Sequence, residues 1–505
     1  MPPVRNIDVK SPDRVVIMPD SATVAAFLAV VGGTSLVAVG ARWFRRDDSL
    51  PTLEGWALAN RRFGAPTTWF LLGGTIYTAY TFAAMPGLVY GVGALGFFAL
   101  PYTVIIYPMA FVLLPRLWSV AREHGYITVA DYVKGRYDSA PLALVVALTG
   151  ILATMPYIAL QLLGIRAVLT AGGLYPRGLA GDLAMIAVFA VLAAATYRHG
   201  IRAPAVISMV KGAAIFGAIL AVVAVVLDEL GGPGRIFESA ESRNAALTLD
   251  PDLYPAFATL AIGSAMALLM YPHVLTAAFA ASGPRALRKV TIALPAWTAV
   301  LGLFAMLGVA ALAAGVEAPP GNAESAVPLL VEQLMPAALT GVLFGAFVVG
   351  ALVPAAVMSI AAATAFVRNI YVEYFHPTAT PKHQTRIAQF VSLTAKVGAV
   401  AFVLGLRNQD AINLQLLGGV WILQTFPAVA IGLFTTWLHR NALLAGWAVG
   451  MVSGTLLVVW GGFSAVVSVA GVPMYAALVA FVLNLAVAAG LTPLFASPHP
   501  AVRVV

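Results

Sequence analysis

Runs of about 20 apolar residues recur along this 505-residue chain, separated by short stretches rich in Arg, Lys, Gly and Pro. A run of that length crosses the hydrocarbon core of a bilayer as a helix. Windows of that width predict thirteen spans, at 21–42, 66–90, 94–115, 140–170, 182–197, 203–227, 255–281, 290–314, 337–367, 385–406, 411–436, 441–462 and 470–495. The run from Gly341 to Tyr371, GVLFGAFVVGALVPAAVMSIAAATAFVRNIY, is crowded with small residues. A lipid-facing helix has no use for them, whereas a helix buried among others gains contact when backbones approach. Gly341 and Gly345 form a GxxxG, and Ala351, Ala355, Ala356 and Ala361 to Ala363 extend the small surface, so the pattern predicts a central helix. Pro354 lacks an N–H and frees a carbonyl just before Ser359. A freed carbonyl beside a hydroxyl is cation-site material; the plainer expectation is that Ser359 bonds the i−4 carbonyl of its own helix.

Two predicted spans are interrupted. The second carries Gly73-Gly74 and Pro86-Gly87, and the seventh carries Pro272-His273. Breaks at corresponding places in two halves point to an inverted-repeat transporter. The expected fold is an all-α polytopic membrane protein forming one domain over 1–505. It has a leading helix and inner loop at 21–65, repeats at 66–227 and 255–436, and two trailing helices at 437–505. Broken helices expose backbone amides at the midplane, where the helix dipole favours a carboxylate.

Composition supports this reading: 61% of residues are hydrophobic and 10% charged, with a mean hydropathy of +0.91, leaving no soluble domain to expect. The absence of Cys excludes disulfides, thiolate metal sites and thiol catalysis, and the seven His fall in no metal-ligand spacing. Neither catalytic residues nor a cofactor are expected, and the chain reads as no enzyme. The N-terminal segment lacks a signal-peptide pattern, so the first apolar run is expected to remain as a span.

The net charge of +8 is accounted for by sidedness rather than by nucleic acid. With the N-terminus outside, 19 basic residues fall in inner loops and 7 in outer segments. The positive-inside rule therefore predicts an outer N-terminus and a cytoplasmic C-terminus in the cell's inner (plasma) membrane. Three basic residues lie within spans, Arg166, Lys211 and Lys396, while all 21 carboxylates fall in loops or at membrane edges. A membrane interior with cations and no acid suits an anion. Arg166 is near enough to the outer end of its span to snorkel; Lys211 and Lys396 are deeper.

Four stretches, WALANRRFGAPTTWFLLGG (56–74), YITVADYVKGRYDS (126–139), VMSIAAATAFVRNIY (357–371) and LGGVWILQTFPAVAIGLF (417–434), resemble the sodium/solute symporter family. MYPHVLTAAFAA (270–281) agrees more loosely, and the chain is most similar to the bacterial monocarboxylate permease branch. The resemblance implies the fold of the bacterial leucine transporter, with ten core helices in two inverted repeats of five. It also implies a sodium site made by the carbonyls of Gly74, Tyr77 and Ala356 and the hydroxyl of Ser359. The family's next hydroxyl position holds Ile360. On the fifth core helix, Ser208 and Lys211 stand where the family has Asp and Gln.

A lysine ammonium standing in for the ion implies proton coupling; sodium held by the remaining four ligands is the other expectation. The implied function is ion-gradient-driven import of small monocarboxylates such as acetate, propionate, lactate or pyruvate by alternating access. The alternatives are a sodium-coupled symporter of an amino acid or pantothenate, and a membrane sensor, for which the chain shows no output domain. The carboxylate is expected near Thr78, Tyr80, Thr81, Phe82, Tyr271, Pro272 and His273, with Trp421 and Gln424 as further lining. Plainer roles are a helix cap for His273, ordinary packing for Trp421, and satisfaction of carbonyls freed by Pro427 for Gln424. The expected partners are the substrate and the lipid bilayer, with no nucleic acid and no obligate protein partner.

Overall fold

The computed structural model describes residues 20–40, 52–175, 178–243, 245–405 and 411–495. The basic residues before 20, at 42–46, and at 177, 407 and 503, which enter the sidedness argument, lie outside them, as do both termini. The chain begins with α1 (Ser21–Gly40) and α2 (Leu53–Leu58), the latter capped by Thr52, whose hydroxyl accepts from Gly55 N. The first broken span follows. Helix α3 (Ala65–Ile76) stops, the chain turns through Tyr77 and a wide π-helical segment at Tyr80–Ala84, and α4 (Met85–Val92) resumes. Next come α5 (Ala99–Glu123), α6 (Val129–Tyr137), α7 (Ala140–Ala171), α8 (Leu179–His199), α9 (Arg202–Glu229) and α10 (Pro233–Ser242).

The second broken span is α11 (Tyr254–Met270) and α12 (Pro272–Phe279), followed by α13 (Pro284–Ala293), α14 (Pro295–Ala313) and α15 (Ala326–Leu334). Then come α16 (Ala337–Phe366), extended by a π-helical Val367–Phe375, α17 (Pro381–Gly405), α18 (Ala411–Ile422) and the single turn α19 (Gly432–Phe434). The trailing pair, α20 (Arg440–Trp460) and α21 (Ala476–Leu491), is joined by an antiparallel hairpin of β1 (Val466–Val469) and β2 (Val472–Tyr475). Among the described residues, nine helical stretches are long and apolar enough to cross a bilayer, and α1 adds a shorter apolar helix.

Helix α16 is the centre of the bundle. Its most apolar stretch is 94% buried, against 33% and 28% for α20 and α21, and it packs on α1, α3, α7, α9, α12 and α17. The GxxxG sits where α1 crosses: a Cβ on Gly341 would collide with the Thr23 carbonyl, and one on Gly345 would come within 2.6 Å of Val30 Cβ. Small residues here are the condition for backbone approach.

The two breaks have different local causes. Tyr271 takes an extended ψ of 131° because Pro272 follows it. In the first broken span, Gly73-Gly74 and Pro86-Gly87 were expected to interrupt the helix, but Gly73 and Gly74 remain within α3 and Pro86 lies in the first turn of α4, where its missing N–H is harmless. The glycine pair serves packing instead. A Cβ on Gly73 would strike the Trp297 indole, and one on Gly74 would lie 3.1 Å from Ser208 Oγ of α9. The break itself falls at Tyr77, whose ψ is 97°.

At the end of the bundle predicted to be cytoplasmic, α6 is fixed by a capping box between Thr128 and Asp131. Asp131 also pairs with Arg368 at 3.2 Å and accepts from Asn369 at 2.8 Å, while Lys134 meets Glu373 at 2.6 Å. Burial pushes the Tyr132 phenol of α6 above its ordinary pKa. This helix ties the segment after α16 to the first half of the chain.

Candidate functional site

Where α3 ends, its last carbonyls lose their helical donors. Thr81 N bonds to Thr78 O rather than continuing the α3 ladder, and two of the orphaned carbonyls are taken by a side chain from α9. Lys211 Nζ donates to Gly74 O at 2.7 Å and to Tyr77 O at 2.9 Å. Lys211 is 1% exposed, so these carbonyls hold an amine well away from solvent. Ser208, one turn earlier, donates to Pro204 O of its own helix at 2.7 Å and packs against Gly74.

The α16 side is built separately. Ser359 Oγ donates to Ala356 O at 2.8 Å, the i−3 carbonyl rather than the expected i−4. It accepts from Ser392 Oγ of α17 at 3.1 Å, and Ser392 accepts from Lys396 Nζ at 3.0 Å. Ile360 is fully buried, and its carbonyl accepts from Thr364 Oγ1 at 2.7 Å. The hydrogen bonds of the Lys211 amine go to the broken span alone, while the α16 groups bond to each other and to α17. This arrangement does not fit a sodium ion. Lys211 occupies two of the four expected ligands, the Ser359 proton covers a third, and Ile360 supplies no hydroxyl.

The chain beyond Tyr77 is held by a neutral residue, inconspicuous among the charges of the spans. Gln161 of α7 is fully buried; its Oε1 accepts from Ala79 N at 3.0 Å, and its Nε2 donates to Thr78 Oγ1 at 3.3 Å and Tyr157 O at 3.1 Å. Thr78 Oγ1 also accepts from Tyr80 N at 3.1 Å. A lone Gln in the middle of an apolar span was the available signal.

Polar groups of the two breaks gather around Tyr157. Its ring lies 5.2 Å from that of Tyr271 and 5.3 Å from that of His273, and its carbonyl accepts from Gln161 Nε2, which also bonds Thr78. Tyr271 OH donates to Gln415 O at 3.2 Å. The Tyr80 hydroxyl, Thr81 Oγ1, both His273 ring nitrogens and Gln415 Oε1 are buried without a hydrogen-bond partner. His273 therefore does not cap the broken helix through its side chain. A buried polar group left unpaired costs about 1–3 kcal/mol, a cost that a small polar ligand bonding to it would remove. Phe82 stacks on Phe347 at 5.0 Å and supplies an apolar wall. Pro272 packs against Gly150 and borders a cavity of about 20 Å³, also lined by Thr128, Thr276 and Ala361, between the break and the start of α6.

Two expected lining residues are elsewhere. Trp421 Nε1 donates to Thr455 Oγ1 of α20 at 3.2 Å. Gln424 donates to Val420 O at 2.9 Å and Ala477 O at 3.4 Å and accepts from Asn484 at 3.1 Å. Both face the trailing helices, and Gln424 serves as the polar joint between α18 and α21.

Comparison with known proteins agrees with this architecture. A monocarboxylate transport permease protein of Rhizobium johnstonii is 45% identical over 471 residues, spanning 92% of this chain and 94% of the relative. An uncharacterised symporter of Bacillus subtilis is 32% identical, over 83% of this chain and 85% of its own. The solved structure of a sodium-coupled sialic acid symporter, substrate-bound and outward-open, superposes with a TM-score of 0.77 over 94% of this chain and 98% of that one, at 14% identity. That likeness establishes a shared fold. Residues 56–454 match the profile of the sodium:solute symporter family, and the chain is a multi-pass membrane transporter that belongs to it.

Proposed function

We propose that this chain is a symporter that imports small monocarboxylates such as acetate, propionate, lactate or pyruvate, with the proton as coupling ion and Lys211 as its carrier. The observation that carries the coupling is the Lys211 amine seated on the Gly74 and Tyr77 carbonyls. An ammonium there closes the first break as a bound cation would. Loss of its proton on the cytoplasmic side weakens both hydrogen bonds and lets the break open. Substrate class is supported by the name of the Rhizobium relative and by a span interior that holds lysines and no acid. The carboxylate takes the unpartnered donors of Tyr80, Thr81 and His273, with Thr78, Tyr271 and Pro272 shaping the site and Phe82 against the alkyl group.

In this reading ten of thirteen spans form two inverted repeats, 66–227 and 255–436, in the plasma membrane, with the N-terminus outside and the C-terminus in the cytoplasm. Alternating access moves the broken spans against α16. The test is uptake by reconstituted protein under separately imposed sodium and proton gradients. Uptake is expected to rise as external pH falls, to collapse with a protonophore and to persist without sodium. A sodium requirement at constant pH overturns the coupling, and competition by alanine equal to that by propionate overturns the substrate class.

A further inference from the structure

Lys396 is deeply buried, has no role in that reading, and is joined to the α16 side of the ion site by hydroxyls. The order of donors along this string is fixed. Ser359 has one proton and gives it to the Ala356 carbonyl, so it accepts from Ser392; Ser392 has then given its own proton, so it accepts from Lys396. Lys396 is 3% exposed, Ser392 2% and Ser359 0%.

Helix α17 packs against α16, α7, α8, α2 and the 367–375 segment. Helix α16 carries no titratable side chain. The others carry Tyr157 and Arg166 (α7), Asp182, Tyr197, Arg198 and His199 (α8), Glu54 (α2), and Arg368, Tyr371, Glu373 and Tyr374; α17 itself adds Lys382, His383 and Arg386. Glu54 is held by Arg61, Asp182 by Tyr175 and Glu373 by Lys134. Among the described residues, no carboxylate lies within ion-pair distance of Lys396, whose hydrogen bond goes to Ser392. One hydroxyl acceptor satisfies an amine but leaves an ammonium with two unused donors, so the site is built to hold either form rather than to fix one.

We propose that Lys396 is a second proton-binding site of the transport cycle, and that its state sets the direction of the Ser392–Ser359 string and so whether the Ala356 carbonyl is covered. With Lys396 protonated, the string runs as observed. With Lys396 neutral, its lone pair accepts from Ser392, Ser392 accepts from Ser359, and the Ala356 carbonyl loses its donor. One N–H bond forms on Lys396 with a proton from water on one face and breaks with its release to water on the other; the hydroxyls rotate and keep their own protons. The inference rests on the proton-coupled reading above and adds a carrier on the opposite side of the ion site from Lys211.

The test is the steady-state accumulation of radiolabelled pyruvate in proteoliposomes held at zero membrane potential, with the outside one pH unit more acidic. This ratio is an equilibrium quantity and does not depend on how much protein has folded. Each coupled proton contributes about tenfold per pH unit, so wild type is expected near a hundredfold and Lys396→Gln about tenfold lower. Ser392→Ala, which keeps the amine and cuts the string, is expected to show the same loss. Wild-type accumulation near tenfold, or an undiminished ratio in Lys396→Gln, overturns the proposal. If Lys396→Gln fails to reconstitute, the wild-type ratio and Ser392→Ala decide the matter. A wild-type ratio in Lys211→Gln removes Lys211 as a carrier and leaves the result for Lys396 to stand by its own numbers.

Discussion

The two helix breaks differ in what their own chain supplies to the groups they free. At the first, the orphaned carbonyls of Gly74 and Tyr77 receive the Lys211 amine, and the Ala79 amide is bonded by Gln161. At the second, the His273 imidazole is fully buried with neither nitrogen bonded, and Gln415 Oε1 beside Tyr271 is likewise unpaired. A break whose backbone is completed from within the protein is a mechanical joint, stable until its internal partner changes state. A break whose side chains lack partners is poised for something from outside the chain. In the proposed reading the end of α3 carries coupling, and the unpaired side chains of both breaks, Tyr80 and Thr81 at the first and His273 at the second, carry recognition, with Gln161 of α7 bonded to the first break and Tyr157 beside the second.

The effect on accumulation that would break this assignment is expected to be largest at Lys211. Lys211→Gln should lower proton-driven accumulation by about tenfold or more at a one-unit pH gradient while retaining substrate counterflow, because exchange needs no net proton movement. Accumulation at the wild-type level would make Lys211 a structural lysine and return the first break to an ordinary kink.

His273→Leu tests the other half. If His273 donates to the substrate carboxylate, losing a hydrogen bond to a charged group costs about 1.5–3 kcal/mol, so KM should rise about tenfold to a hundredfold. The accumulation ratio should stay near wild type. The same substitution removes an unpaired buried polar side chain, so thermal stability in detergent should hold or increase. A fall in stability with an unchanged KM would make His273 a structural residue.

A smaller effect is expected from Gln161→Leu, which leaves Ala79 N and Thr78 Oγ1 short of partners and should destabilise the protein by about 1–3 kcal/mol, read as a lowered Tm. If the loss appears in KM instead, Gln161 belongs to recognition and the contrast between the breaks is weaker than drawn.

The smallest functional effect attends the topological test. Cysteines placed singly at Ser239 in α10 and at exposed Ser282 before α13 should label from opposite faces of the membrane and leave transport nearly unchanged. Labelling from one face would mean that the two broken spans are not related by inversion.

The long apolar runs, the small residues of the 337–367 span, the Pro272 break and the two deep lysines were legible in the chain because each depends on local chemistry. A run of length fits the bilayer, a proline lacks its N–H, and a charge in an apolar stretch is conspicuous wherever it points. What each polar residue faces was decided only by the tertiary structure. Gly73 and Gly74 make room for Trp297 and Ser208 rather than breaking their helix. Trp421 and Gln424 turn to the trailing helices, Gln161 reaches across to Thr78, and Lys396 is tied to Ser359 through Ser392. In water, a helix's apolar stripe marks its inner face. In a bilayer, the surroundings are as apolar as the interior, so the sequence pattern of such a helix does not say which of its sides meets a neighbour, and packing alone sets the partners.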